Sequence, residues 1–245
     1  MSAEVAPGVH RLGTELVNWY VVEADGELVA VDAGLPGYGD LMVEQLAALG
    51  RRPEDVRAVV LTHAHSDHTG VAGRLRDAGA RVLIHADDAE LAARPRRQKT
   101  DGSVLRVLAT SGTARRFFWG MARGGGARPA PLPDTETFGE DAELDLPGRP
   151  RTIHTPGHTA GHAAIHFPDH DALFVGDLMC TWNFVDGRAG PQTMPRITNV
   201  DTERSRQSLS RIEPVAASVV LPGHGDPFTG SPADAAAAAR AIEAL

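Results

Sequence analysis

The sequence predicts a layered α/β fold, and three observations carry that prediction. Short runs of β-branched and aliphatic residues alternate with segments whose apolar residues recur at helical spacing. The chain has 245 residues and is 42% hydrophobic, enough to bury a sizeable core, and it reads as a single domain over residues 1–245. Several apolar runs end in clusters of histidine and aspartate, as expected where ligand sites collect beyond the carboxyl ends of strands.

Taken in order, Val17 to Val22 and Leu28 to Val31, separated by Asp25-Gly26, predict an early hairpin or meander. Asp40 to Leu49 sets Leu41, Met42, Val43, Leu46 and Leu49 at helical intervals before the stop at Gly50. Val59 to Leu61 predicts a buried strand, Val71 to Ala78 a helix ended by Gly79, and Val82 to Ile84 a further strand. From Arg94 to about Asp145 the pattern breaks. An amphipathic stretch there carries Val104, Leu105, Leu108, Phe117, Phe118 and Met121, and a triple glycine and a proline-rich run follow it. Residues 94–145 are expected to form an insertion or lid. Strands resume at Thr152-Ile153, Ala163 to Phe167, Ala172 to Val175 and Val219 to Leu221, and helices are expected over Asp201 to Ile212 and Pro232 to Ala244.

Composition narrows the chemistry. A single cysteine permits neither an internal disulfide nor a cysteine zinc site, so a metal would rest on the 11 histidines and the carboxylates. The start lacks a basic and apolar leader and no long apolar run occurs, which predicts a cytoplasmic protein with no membrane partner. A net charge of −8 argues against general nucleic-acid binding. That charge is uneven: Arg94 to Pro133 holds nine Arg/Lys against Asp101 alone. Over a site, such a segment would attract an anionic small-molecule substrate; its alternatives are a solvated basic face or a homodimer surface using Phe117, Phe118 and Trp119.

The sharpest motif is His63-Ala64-His65-Ser66-Asp67-His68, directly after Val59-Val60-Leu61. In an extended segment alternate residues share a face, so His63 and His65 can point two imidazoles at one metal. Asp67 and His68, at the turn into the next helix, can serve a second. Three further strand ends have the same design: His154 through His158 to His162 after Thr152-Ile153, Gly176-Asp177 after Leu173-Phe174-Val175, and Pro222-Gly223-His224 after Val219-Val220-Leu221.

These motifs resemble those of the metallo-β-lactamase-fold hydrolases and span the chain from about Val17 to His224. The resemblance implies a four-layer αββα sandwich with the site along one edge, here carrying a basic helical insertion. It implies that His63, His65 and His158 bind one metal, that Asp67, His68 and His224 bind the other, and that Asp177 bridges them. Asp32, in Val31-Asp32-Ala33-Gly34, would support the site. Five imidazoles and two carboxylates suit two Zn2+ ions, with manganese or iron as alternatives. Such a pair would ionise a bridging water to hydroxide for hydrolysis. The resemblance gives Asp67 a further catalytic role, orienting that water and relaying its proton.

Asp177 stands where many metallo-β-lactamases have cysteine or serine, and the full seven-residue set is more similar to glyoxalase II-type thioesterases and acyl-homoserine lactonases. A small thioester, ester or lactone is the expected substrate. Only 21 residues follow His224, too few for the helical substrate domain of glyoxalase II. The alternatives are a phosphodiesterase acting on nucleic acid or nucleotide, and an oxidoreductase resembling persulfide dioxygenases, with one iron on the equivalents of His158 and Asp177. His162 is either a support for the ligands or structural. His154 is expected at a strand end, and His10, His85, His166 and His170 are expected to be packed or solvated. Cys180 reads as a small buried residue or a pocket lining. Trp182, Asn183, Phe184 and Arg196 belong either to a second pocket wall or to ordinary loop packing.

Overall fold

The computed structural model describes residues 3–244. Strands β1 (Ala3–Ala6), β2 (Val9–Gly13), β3 (Asn18–Ala24), β4 (Glu27–Val31), β5 (Val56–Val60), β6 (Arg81–His85) and β7 (Glu136–Phe138) form a seven-stranded sheet in that order. The first four pair antiparallel, and β4 through β7 run parallel. The remaining strands are β8 (Arg151–His154), β9 (Ala163–Phe167), β10 (Ala172–Gly176), β11 (Met179–Trp182), β12 (Ala189–Thr193), β13 (Val219–Pro222) and β14 (Phe228–Thr229). Five of them make a second sheet in the order β14-β13-β10-β9-β8, while β11 and β12 pair as a separate ribbon. The helices are α1 (Gly39–Ala48), α2 (Ser66–Thr69), α3 (Ala72–Asp77), α4 (Ala86–Ala93), α5 (Val104–Thr110), α6 (Gly112–Arg123), α7 (Thr202–Ile212) and α8 (Pro232–Ala241).

Strand alternation builds the layers. In β4, Leu28 and Ala30 join a core with Met42 and Leu46 of α1, Leu75 of α3 and Leu91 of α4. Val29 and Val31 face the other way, into a core with Ile165, Phe167 and Phe174 of the second sheet. On the far side of that sheet, Ala164, Leu173 and Val175 pack with Leu209 and Ile212 of α7 and Ala235 and Ala239 of α8. The result is the αββα sandwich, with each sheet apolar on both faces.

The predicted strands and helices appear within a few residues of their expected bounds. The segment 94–145 differs in two respects. Its amphipathic stretch divides into α5 and α6 at Ser111, whose Oγ caps the second helix by accepting the Ala114 N–H at 3.0 Å. It also returns to the sheet before its expected end, because β7 pairs with β6 through Leu83↔Glu136 and its neighbours. Arg81 clamps this edge with a two-pronged contact to the Glu136 carboxylate at 2.8 and 2.6 Å.

Candidate metal centre

The carboxyl ends of β8, β10 and β13 in the second sheet, β10 and β13 paired parallel and β8 joined through antiparallel β9, meet that of β5 in the first sheet at one rim, and the seven candidate residues follow those ends. His63 and His65 lie on the extended link after β5, Asp67 and His68 on α2, His158 after β8, Asp177 immediately after β10, and His224 after β13. Their donor atoms fall into three overlapping groups: His63, His65 and His158; His63, His68 and Asp177; and Asp67, His68 and His224. In the first, His65 Nδ1 lies 3.1 Å from His63 Nε2 and 2.9 Å from His158 Nε2. In the last, Asp67 Oδ2 lies 3.7 Å from His68 Nε2 and 3.4 Å from His224 Nε2. The Asp177 carboxylate stands between them, with Oδ2 at 3.3 Å from His158 Nε2 and 3.5 Å from His224 Nε2, and Oδ1 at 3.4 Å from His68 Nε2.

The opposite ring nitrogens are engaged. His68 Nδ1 donates to Asp32 Oδ2 at 2.8 Å, His158 Nδ1 to Asn199 Oδ1 at 2.9 Å, His224 Nδ1 to the Leu16 carbonyl at 2.6 Å and His63 Nδ1 to Thr62 Oγ1 at 3.0 Å. Each bond fixes its ring with Nε2 turned toward the cluster. Asp32 sits at a left-handed φ of 61° just past β4, and this turn aims its carboxylate at Thr62 N, Thr62 Oγ1 and His68 together. His162 resolves as a support: its Nε2 accepts the Asp177 backbone N–H at 3.1 Å while Nδ1 donates to Thr155 Oγ1. Gly223 is required by crowding, since a Cβ there would come within 2.5 Å of both Asp177 Oδ1 and His68 Cε1.

At neutral pH His63, His158 and His162 are neutral while His68 and His224 are held protonated, so a cation at this site would displace protons from the last two. Burial drives His63 and His162 well below the ordinary imidazole value and takes His158 down to about 3. Burial also opposes charge on His68 and His224, yet Asp177, with Asp32 and Asp67 for His68 and Asp67 for His224, holds the first well up and carries the second to about 10. Asp67 is brought down to about 2 by His68 and His224 against its own burial, and Asp177 is held well below the usual carboxylate range. The residues nonetheless fit a metal. His68 Nε2 and Asp177 Oδ1 are buried and have no hydrogen-bond partner, an arrangement that a cation between them would satisfy. Nitrogen donors around a tetrahedral ion with bonds of about 2.1 Å lie roughly 3.4 Å apart, close to the spacings here.

A cavity of about 380 Å³ opens beside the donors, lined by His65, Asp67, His158, Asp177 and His224 on one side. Its other walls include Phe117, Phe118 and Met121 of α6, Phe184, Met194 and Ile197 of the later loops, and Arg96, Arg97 and Gln98. Arg115 and Arg116 border a separate surface depression with Trp119. Of the expected second wall only Phe184 reaches the cavity, and Cys180 is fully buried against Phe117 and Phe184.

The family model of the metallo-beta-lactamase superfamily matches residues 12–224. The chain belongs to that superfamily. The probable metallo-hydrolase YflN of Bacillus subtilis (strain 168) is 26% identical over 93% of this chain and 87% of its own length. A hydroxyacylglutathione hydrolase of Cereibacter sphaeroides is 31% identical over 63% of this chain and 44% of its own length. The N-acyl homoserine lactonase AttM of Agrobacterium fabrum is 29% identical over 74% of this chain and 63% of its own length. The chain therefore spans less than two thirds of the last two relatives. A solved metallo-beta-lactamase family protein from Thermus thermophilus shares the fold at a TM-score of 0.67 and 24% identity, over 96% of this chain and 78% of that one.

Within this metallo-beta-lactamase frame, three supporting residues escaped the sequence reading. Asp88 of α4 accepts from Ala64 N, Thr159 Oγ1 and Gly161 N at 2.7–2.9 Å, tying the His63-His65 link to the His158 loop. Asn199 fixes the His158 ring. Asn18 bonds to Pro222, Gly223 and Gly225 around His224. Of the other histidines, His85 and His154 are buried and stack at 4.2 Å and 11°. No helix among the described residues is long and apolar enough to cross a membrane.

Proposed function

We propose that this superfamily hydrolase is a dinuclear zinc enzyme acting on a small thioester, ester or lactone. His63, His65 and His158 would hold one cation, Asp67, His68 and His224 the other, and Asp177 both. The observation that carries this reading is the Asp177 carboxylate, which faces His158 of one triad and His224 and His68 of the other within 3.5 Å. When bound, the two cations supply hydroxide at neutral pH and polarise the acyl oxygen under attack.

The chain's own residues do the rest. Asp67, ionised at neutral pH and lining the cavity, accepts a hydrogen bond from the attacking water and hands its proton to the leaving group. Asp32 and Asn199 keep the His68 and His158 rings in the ligating tautomer. Phe117, Phe118 and Phe184 hold the acyl portion against an apolar wall and exclude water. That wall favours an acyl substrate over a nucleic-acid phosphodiester, and two donor triads favour a dinuclear site over a single iron.

Metal analysis together with a panel of a thioester, a lactone and bis-p-nitrophenyl phosphate, repeated on Asp177→Asn, tests the proposal. Wild type is expected to carry two zinc ions and cleave the acyl substrates. The variant is expected to lose metal and at least about 100-fold in turnover. Retained metal content and turnover in Asp177→Asn, or iron with oxygen uptake in the wild type, would overturn it.

A further inference from the structure

The Arg96–Gln98 edge of the cavity is left unused by the donor set and by the apolar wall. Arg97 forms no ion pair among the described residues, and Arg96 makes one exposed contact, to Glu90 at 3.4 Å. Gln98 Oε1 is buried with no hydrogen-bond partner. The carboxylates lining the cavity are Asp67 and Asp177, both turned toward histidine nitrogens, so no lining acid answers the two guanidinium groups. The edge is also anchored. Asp101 N donates to the Asn199 carbonyl at 3.0 Å, and Gly102 lies so close to Ile197 that a Cβ there would meet its backbone N at 2.7 Å. Arg96 to Gln98 therefore span a short stretch between α4 and a fixed point on the loop that orients His158.

We propose that Arg96, Arg97 and Gln98 form an anion-recognising rim, and that the substrate is an acidic acyl compound. Its apolar group lies on the phenylalanine wall, its carboxylate or phosphate meets the two arginines, and an N–H or O–H of its polar portion donates to Gln98 Oε1. Charge-assisted bonds of this kind are stronger than neutral ones, and Arg presents the planar fork that fits either anion. The inference rests on the hydrolase reading for the scissile bond, but the rim itself is a statement about binding. Arg115 and Arg116 provide the internal comparison: they belong to the same basic segment yet border a different depression.

The experiment uses three thioesters with one common acyl group and leaving thiols that are neutral, carboxylate-bearing or phosphate-bearing. Their kcat/KM values are measured at low and high salt on the zinc-loaded wild type, Arg96→Ala/Arg97→Ala and Arg115→Ala/Arg116→Ala. Wild type is expected to prefer an acidic thioester by about tenfold or more, through KM. The first double variant should lose that preference and the second should keep it. The carboxylate and phosphate arms show which anion the rim takes. Calorimetric binding of a non-hydrolysable thioether acid and its neutral amide gives the same comparison without turnover, with the acid bound about tenfold tighter by wild type and by the Arg115/Arg116 variant, and no tighter by the Arg96/Arg97 variant. Equal affinity for acid and amide in wild type would overturn the rim, as would an equal loss in both double variants, which signals a general field. Failure to cleave any thioester while the acid still binds selectively would overturn the thioester form of the proposed function and leave the rim standing.

Discussion

Asp88 places one carboxylate, 1% exposed, under two separate donor loops. Removing it strands three buried donors at once, and each unsatisfied group costs about 1 kcal/mol or more. Asp88→Ala is therefore expected to lower stability by about 3 kcal/mol and to weaken zinc binding, read by urea unfolding and by chelator competition. A loss in urea stability below about 1 kcal/mol would show that water replaces the carboxylate. The four strand ends that carry the seven candidate ligands were legible in the sequence because histidines and aspartates crowd behind β-branched runs, the family resemblance chose among those residues, and the structure gathers the seven at one rim. Asp88, Asn199 and Asn18 carry no such signature. Each is a lone polar residue whose partners lie far along the chain, and only the fold says that its side chain points inward.

At the scale of elements, α6 shows how the basic segment is held. Phe117 stacks on Phe184 at 4.3 Å with the rings nearly parallel, and Gly37 N donates to the Gly124 carbonyl at the helix end. Phe117→Ala should cost about 3 kcal/mol, as large aromatic truncations do. Because α6 lies on the rim, the loss should be concentrated there: hydrogen exchange in α5 and α6 is expected to accelerate while β4 and β5 stay protected. Uniform acceleration across the sheets would instead make α6 part of the global core. The strands β3 to β6, β8 to β10 and β13 and the long helices were readable from periodicity, as α1 and α7 illustrate. Strands β1, β2, β7, β11, β12 and β14 were not; β7, for one, is three residues on a sheet edge, which show no pattern until pairing with β6 defines one. Helix α4 was hidden in the same way, its apolar face being only Leu91 and its neighbouring alanines.

For the whole molecule, the site imposes a pH optimum on stability once metal is removed. His63, His158 and His162 are depressed in the folded state, His158 to about 3, so the unfolded chain takes up more protons below the ordinary 6.5 and stability falls as pH drops from there. His68 and His224 are raised, the latter to about 10, so their contribution is complete below 6.5 and is lost as pH climbs toward 10. Thermal unfolding of chelator-treated protein should thus show its highest Tm near pH 6.5 and decline on both sides. A Tm still rising at about pH 9 would contradict this balance. Zinc added back should raise Tm by binding the native state alone.

Each outer candidate triad takes two members from the segment between β5 and α3 and one from a loop that follows a strand of the second sheet. For a chain emerging from the ribosome, the first triad cannot exist before residue 158 is made, nor the second before residue 224. On the proposed function, free cations would therefore meet no finished trap on the growing polypeptide, and loading would wait until strands of both sheets had been made.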